Sequence, residues 1–323
     1  MERLRITAGL GLADRIDEYA RAGADEVFCG YVPEEWMSAF GTLRALNRRE
    51  SVYVNAQAGP ITEMRVLREK ADRAGIPVAV AMNAPVYSPE QLPLFARTAE
   101  TLIREGFDTL ILADLAAMAY LKEQGIGEKC RIHVSGEIGE VNRGFLPLLW
   151  RLGARRLILH RKMAFEDMRL LTAAMARLGT PMETEAFAMN ENCHFTGAYC
   201  LTRHGDRTVP MCRVPWRAGG VSRKLPDPDA PTSGEPLSPM TGCALCALKR
   251  LRECGVSVLK LVGRGAAGAD MLRVLPLLRD AVQLEAECGC EEDYLRGLER
   301  LTGGKCGGKC YYPEAGRLYS YAR

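Results

Sequence analysis

Short apolar or β-branched runs recur along the chain, each followed by a stretch whose apolar residues return at three- and four-residue spacing. The runs are Arg5–Leu10, Glu26–Gly30, Pro77–Asn83, Thr109–Asp114, Arg131–Ser135, Arg155–Arg161, Glu183–Ala188 and Ser257–Gly263. Amphipathic stretches between them include Asp14–Ala22, Ile61–Ala74, Pro89–Glu105, Val141–Leu152 and Phe165–Leu178. Eight strand–helix units of this kind predict an α/β fold, a closed parallel (β/α)8 TIM-like barrel. Several helical stretches run into Gly-Ala-Asp, Gly-Phe-Asp, Gly-Ala-Arg or Gly-Ile-Pro, where glycine can end a helix in the left-handed conformation. Ser51–Gln57 is a further strand-like run outside the count, assigned to an excursion between the second and third units.

The pattern breaks twice. Residues 213–242 hold six of the 17 prolines together with Gly219, Gly220 and Gly234. So little apolar material predicts a loop over the barrel mouth or a linker. From Cys288 to Arg323 no period is visible, and an irregular tail laid on the barrel is expected. The domain assignment is a barrel over residues 1–287, carrying a cysteine-bearing insertion over 189–256 between strands seven and eight, and a tail over 288–323.

Composition narrows the class. With 12 cysteines in 323 residues and 47% hydrophobic content, the chain is neither a disulfide-stapled mini-protein nor a disordered polymer. Its 43 basic and 40 acidic residues leave a formal charge of +3, spread as mixed-sign helix faces without a nucleic-acid arm. The longest apolar run, Leu110–Leu121, contains Asp114 and is far short of the roughly 20 residues of a membrane span. The early apolar stretch Ile6–Ala13 meets Asp14 without a small-residue cleavage site, so it reads as strand and turn. Ten of the cysteines lie in residues 193–323. Clustered thiols without an export signal point to reduced cysteines, metal ligation and a cytoplasmic location.

Cys193, Cys200, Cys212 and Cys243 follow the seventh predicted strand and precede the eighth, at the end of the barrel where such folds carry their chemistry. Soft thiolates at long, irregular spacing suit an iron–sulfur cluster or a tetrahedral zinc ion. Cys246, one helical turn beyond Cys243, is a rival for the fourth position. Cys29, Cys130 and Cys254 read as core. Cys288, Cys290, Cys306 and Cys310 form a second group that either closes a second metal site in the tail or consists of packed and exposed thiols.

A resemblance is carried by Glu185-Ala-Phe187, Cys193-x6-Cys200, Cys212-Arg213 with Pro215, and Ser238-Pro239-x3-Cys243 running through Gly255-Val256 to Lys260-x3-Arg264. Together these resemble the signature of the collagenase-like peptidase family U32. Gly23-Ala24-Asp25-Glu26-Val27 and Arg161 are similar to its other short motifs, and the likeness covers roughly residues 4–270. It implies a 4Fe-4S cluster on Cys193, Cys200, Cys212 and Cys243. It also implies one of two activities: proteolysis, or oxygen-independent hydroxylation of ubiquinone precursors, tRNA or rRNA. The substrate would be a small molecule or RNA, and a homologous partner subunit is a further expectation. The sequence departs from the family at Asn190-Glu191-Asn192, where a glycine and a small residue precede the first cysteine, at Gly197, one place early, and at Lys162, where an acidic residue is usual. These departures bear on substrate more than on ligation.

His133, His160, Arg161 and Glu185 fall at or near the C-terminal ends of predicted strands, with Ser135 and Glu137 close by. Convergence at the barrel mouth would give a catalytic set, since guanidinium binds carboxylate and His or Glu moves protons. The plain alternative is a bonded polar layer inside the barrel. Gly263-Arg264-Gly265-Ala-Ala-Gly268 matches a dinucleotide fingerprint formally but has no second strand behind it. It reads instead as an anion site assisted by Lys260 and Arg264. The leading expectation is an iron–sulfur enzyme of the hydroxylase type acting on an anionic substrate. Proteolysis comes second, although Cys193 and His194 are neighbours only in sequence and no His-x3-His is present. A structural zinc or RNA-interacting protein comes third.

Overall fold

A computed structural model describes residues 3–11, 13–41, 44–48, 57–190, 193, 200, 242–264, 268–304 and 310–315. Its centre is a closed parallel barrel in sequence order: β1 (Arg5–Gly9), β2 (Glu26–Gly30), β3 (Val78–Met82), β4 (Thr109–Leu112), β5 (Arg131–Val134), β6 (Ala154–Ile158), β7 (Glu183–Met189) and β8 (Val258–Leu261). β8 closes on β1, with Lys260 opposite Thr7. The predicted TIM-like barrel is therefore present. The sixth strand ends at Ile158, three residues before the expected Arg161.

Around the barrel run α1 (Ile16–Ala22), α2 (Glu34–Phe40), α3 (Ile61–Ala74), α4 (Leu92–Arg104), α5 (Leu115–Glu123), α6 (Leu146–Arg151), α7 (Phe165–Arg177), α8 (Leu248–Glu253) and α9 (Gly268–Glu287). Alternate strand residues such as Ile6, Val27, Val80, Leu110, Ile132, Leu157, Ala186 and Leu259 are buried in the apolar core. The helices supply the other half of that layer at three- and four-residue spacing, as with Met64, Leu67 and Ala71 of α3. The Gly-Ala-Asp punctuation works as a local device. Gly23 caps α1 at φ 110°, its N–H donating to the Ala20 and Tyr19 carbonyls. Asp25 then accepts the Ile6 amide at 2.8 Å, tying the turn to β1.

The tail is not irregular throughout, because Glu291–Thr302 forms α10. Its period escapes notice since only Tyr294, Gly297 and Leu298 are buried and the first turn is acidic. Gly297 lies under the Leu284 side chain of α9, where a Cβ would come within 2.8 Å, so the contact leaves no apolar letter in the sequence. Residues 51–56 of the strand-like excursion and residues 213–241 of the proline-rich stretch lie outside the described residues. Ala58, just past that excursion, bridges to Tyr31. Among the described residues no helix is long and apolar enough to cross a membrane.

Candidate functional site at the barrel mouth

The other face of β1, β2, β6, β7 and β8 carries charge into the barrel. Arg156 of β6 lies 2.7 Å from Glu26, 3.0 Å from Glu185 and 2.8 Å from Glu183. Arg5 joins Glu26 at 2.8 Å and also contacts Glu183. Toward the mouth, Lys260 Nζ sits 2.6 Å from Glu185 Oε1 and 3.8 Å from the centroid of the Phe28 ring. Strand alternation places Glu183 and Glu185 on one face, so the interior holds a chain of alternating charge. Burial works against the Glu185 carboxylate, yet Lys260 and Arg156 hold it below its ordinary range. Burial lowers the Lys260 ammonium, with Glu185 opposing. Arg156 resists burial through its hydrogen bonds and charge pairing with the glutamates and is raised.

Above this chain of charge opens a cavity of about 80 Å³, lined by Arg48, Arg161, Lys260 and Arg264, by Glu137, and by the rings of Phe28 and Phe187. Glu137 is clamped between two guanidiniums, Arg48 at 3.3 Å and Arg161 at 3.4 Å. Arg161 also lies over Phe187, 3.9 Å from its centroid. Asn83 accepts the Arg48 amide at 3.2 Å and donates to Ser135 Oγ at 3.1 Å, joining β3 and β5 to the segment that brings Arg48. A Cβ on Gly30 would stand 2.3 Å from Arg264 Nη1, so glycine there permits Arg264 to approach. Among the described lining residues, four cations face one carboxylate. Such a mouth favours an anion, which guanidinium can hold by paired hydrogen bonds.

The expected residues divide into layers. Arg161, Lys260 and Arg264 reach the mouth, and Glu185 lies beneath them against Lys260. His133 does not join them. It is the third residue of β5, opposite Arg156 in register, and lines a separate cavity of about 450 Å³ with Arg5, Glu26, Arg131 and Glu183, which begin their strands. Burial and Arg156 push its imidazole down to about 3, Glu185 opposing, so it is neutral at pH 7. His160 is buried beyond β6, accepts the Lys162 amide at Nδ1 (3.2 Å), and has its pKa lowered by burial. Among the described residues, neither histidine is hydrogen-bonded to a thiol or a hydroxyl. Sequence reasoning missed Arg156, Glu26 and Glu183, although polar letters at alternate strand positions signal an inward charged face. Arg48 had no signal, since it comes from a segment without a period.

Cys193, Cys200 and Cys243 of the expected quartet are among the described residues, while Cys212 lies outside them. The Cys200 carbonyl accepts from Arg48 Nη2 at 3.1 Å. Cys193 shares a cavity of about 320 Å³ with Cys310, Arg161 and Tyr311. Cys243 is bridged to Met189 at the end of β7 and, on its other side, to Cys310. All three thus stand next to mouth residues or the strand end that supports them. Cys246 is buried in the turn before α8. Burial raises the thiols of Cys29 to about 12 and Cys130 to about 11, as fits core cysteines. In the tail, Cys290 caps α10 and the Cys288 carbonyl accepts from Lys249, whereas Cys306 lies outside the described residues. Among the described residues no three His, Cys, Asp or Glu side chains are grouped to hold a metal ion.

The model of Peptidase family U32 matches residues 11–314. The chain belongs to this family. The U32 match runs past the expected limit near residue 270 and takes in the cysteine-bearing insertion, α10 and Cys310. No protein of curated function matches the sequence. Among solved structures, the U32 peptidase Mk0906 is similar at 13% identity and TM-score 0.41, over 58% of this chain and 69% of that one. A 2,3-dimethylmalate lyase is similar at 11% identity and TM-score 0.43, over 93% and 89%. A thiamine phosphate pyrophosphorylase from Pyrococcus furiosus is similar at 10% identity and TM-score 0.44, over 87% and 96%. Likeness at this level says nothing of substrate.

Proposed function

We propose that this U32 family member is an iron–sulfur enzyme of the oxygen-independent hydroxylase type that takes an anionic substrate into the barrel mouth. One observation carries this reading: the cations Arg48, Arg161, Lys260 and Arg264 line the same cavity, and Cys200 and Cys193 adjoin two of them, Arg48 and Arg161. The donor set has the soft-thiolate chemistry that a cluster takes, with Cys193, Cys200 and Cys243 following the seventh strand of the barrel. With Cys212 as the fourth, Cys193, Cys200 and Cys243 would hold a 4Fe-4S cluster, which supplies one-electron redox chemistry. The chain's own residues have separate duties. Arg161, backed by Phe187 and oriented by Glu137, binds a substrate carboxylate or phosphate oxygen. Lys260, paired with Glu185, is placed to give a hydrogen bond or a proton to a developing oxyanion. The rings of Phe28 and Phe187 restrict water around the bound group.

The test is anaerobic purification followed by reconstitution with iron and sulfide. The expected product is brown, absorbs broadly near roughly 400 nm and binds about four irons per chain. Cys193→Ser and Cys243→Ser should each lose that band while keeping the far-ultraviolet circular dichroism of the barrel. Stoichiometric zinc with no iron, or no metal at all, would overturn the reading.

A further inference from the structure

The barrel has a second opening, at the end where its strands begin. The cavity there measures about 450 Å³, within the roughly 300–1,000 Å³ usual for small-ligand sites. Two of its guanidiniums are matched by two carboxylates. Arg5 lies 2.8 Å from Glu26 and also contacts Glu183, while Arg156 lies 2.7 Å from Glu26 and 2.8 Å from Glu183. The further partner of Arg156, Glu185, is itself matched by Lys260. Arg131, the first residue of β5, and Arg155 of β6 line the same cavity. Among the described residues, the Arg131 guanidinium has neither a hydrogen bond nor an ion pair. Arg155 donates to the Ala154 carbonyl at 2.9 Å and lies 4.5 Å from the centroid of the Trp150 ring, with no carboxylate among the described residues. Four guanidiniums thus meet two carboxylates, and two positive charges are left over.

The backbone is irregular at this point. Ile132 stands opposite Ala154 and His133 opposite Arg156, so Arg155 is an extra residue in the pairing of β5 with β6. Such shifts re-aim side chains, and this one brings a second unmatched guanidinium to the cavity that Arg131 lines. His133 lines it as well, is 7% exposed, and makes no side-chain hydrogen bond among the described residues. The charge of Arg131 acts on its imidazole, which burial keeps neutral at pH 7. A neutral imidazole has one N–H to donate and one nitrogen to accept, and a buried polar group without a partner weakens the fold. The ends where barrel strands begin ordinarily serve stability. Arg131 joins no pair and His133 no hydrogen bond, so stability explains neither.

We propose that this opening binds a phosphate dianion, free or as the monoester of a small molecule, with Arg131 and Arg155 balancing its charge and His133 bonding to one of its oxygens. Guanidinium matches phosphate through paired hydrogen bonds. Two unmatched cations favour a dianion over a monocarboxylate. The site lies at the opposite end of the barrel from the mouth and does not depend on the chemistry proposed there.

The experiment titrates the full chain, labelled with nitrogen-15 histidine, with sodium phosphate at pH 8 and constant ionic strength, and follows the imidazole resonances by NMR. His133 is assigned by its loss in His133→Gln. Its resonance should move saturably, and Arg131→Met and Arg155→Met should each weaken the binding about tenfold or more. Arg131→Lys, which keeps the charge, should retain part of it. Arg131 is exposed, so the circular dichroism of its variants should match the parent chain. Arg161→Met, which removes a cation from the mouth, should leave the His133 response unchanged. Glycerol 3-phosphate binding more tightly than inorganic phosphate identifies a monoester as the ligand, and the reverse order identifies the free anion. An unmoved His133 resonance, an equal response to acetate or chloride, or a response that survives both Arg131→Met and Arg155→Met overturns the site. A response lost in Arg161→Met puts the phosphate in the mouth and overturns it too. None of these readouts requires iron, so failure of the cluster reading leaves them intact.

Discussion

His133 is buried, with the charges of Arg156, Lys260 and Arg131 opposing its protonation and that of Glu185 favouring it, and its imidazole is neutral in the fold down to about 3, against an ordinary value of 6.5. In the unfolded chain it takes up a proton as the pH falls through 6.5, whereas in the fold it waits until about 3. The unfolded state therefore binds more protons across that window, so the stability is present above the higher value and lost as the pH falls toward the lower. At ~1.4 kcal/mol per pKa unit, His133 accounts for ~2 kcal/mol of the loss between pH 7 and pH 5. His133→Gln should flatten that part of the profile. Urea unfolding of both proteins at the two pH values measures it, and equal losses would show that the imidazole is not the responsible group.

At the scale of elements, the tail helix shows what a sequence can and cannot display. The strands and α3, α4 and α7 announce themselves because each needs a whole apolar face, as Leu94, Phe95, Ala99 and Leu102 do in α4. α10 needs only two large side chains and one glycine, so its pattern is too sparse to count. Likewise the mouth was legible where it drew on strand ends, through Arg161, Lys260 and Arg264. It was illegible where Arg48 arrives from a connecting segment and where a polar strand residue, His133, faces the opposite opening. The sparse helix is nevertheless anchored: Tyr294 is fully buried and its hydroxyl donates to the Leu245 carbonyl ahead of α8. Tyr294→Phe should cost about 1–3 kcal/mol through the orphaned carbonyl, and Tyr294→Ala about 3–5 kcal/mol as a cavity opens. Chemical denaturation reads both values. A cost near zero for the alanine variant would mean that α10 is not packed as a structural part of the barrel.

Across the whole molecule the barrel packs apolar residues between strands and helices and carries an ionic network inside, on β1, β2, β6, β7 and β8. Arg5, Arg156 and Lys260 face Glu26, Glu183 and Glu185, three charges of each sign, and Arg156 touches all three carboxylates. Its side chain is 4% exposed and that of Glu185 1%, so neither water nor salt can take over if a partner is lost. Removing Arg156 leaves Glu26 to Arg5 and Glu185 to Lys260 alone, with Glu183 half in solvent. Breaking such a buried pairing costs about 3–5 kcal/mol, because a desolvated charge stays behind. Arg156→Met should therefore destabilise the protein by that amount at both low and high ionic strength. Arg156→Met combined with Glu26→Gln should recover part of the loss, since one of the stranded carboxylates is gone. A purely additive double variant, or a deficit that vanishes in high salt, would show that the interior charges act as separate solvated groups. It would also detach Lys260 at the mouth from the strand that now fixes Glu185 beneath it.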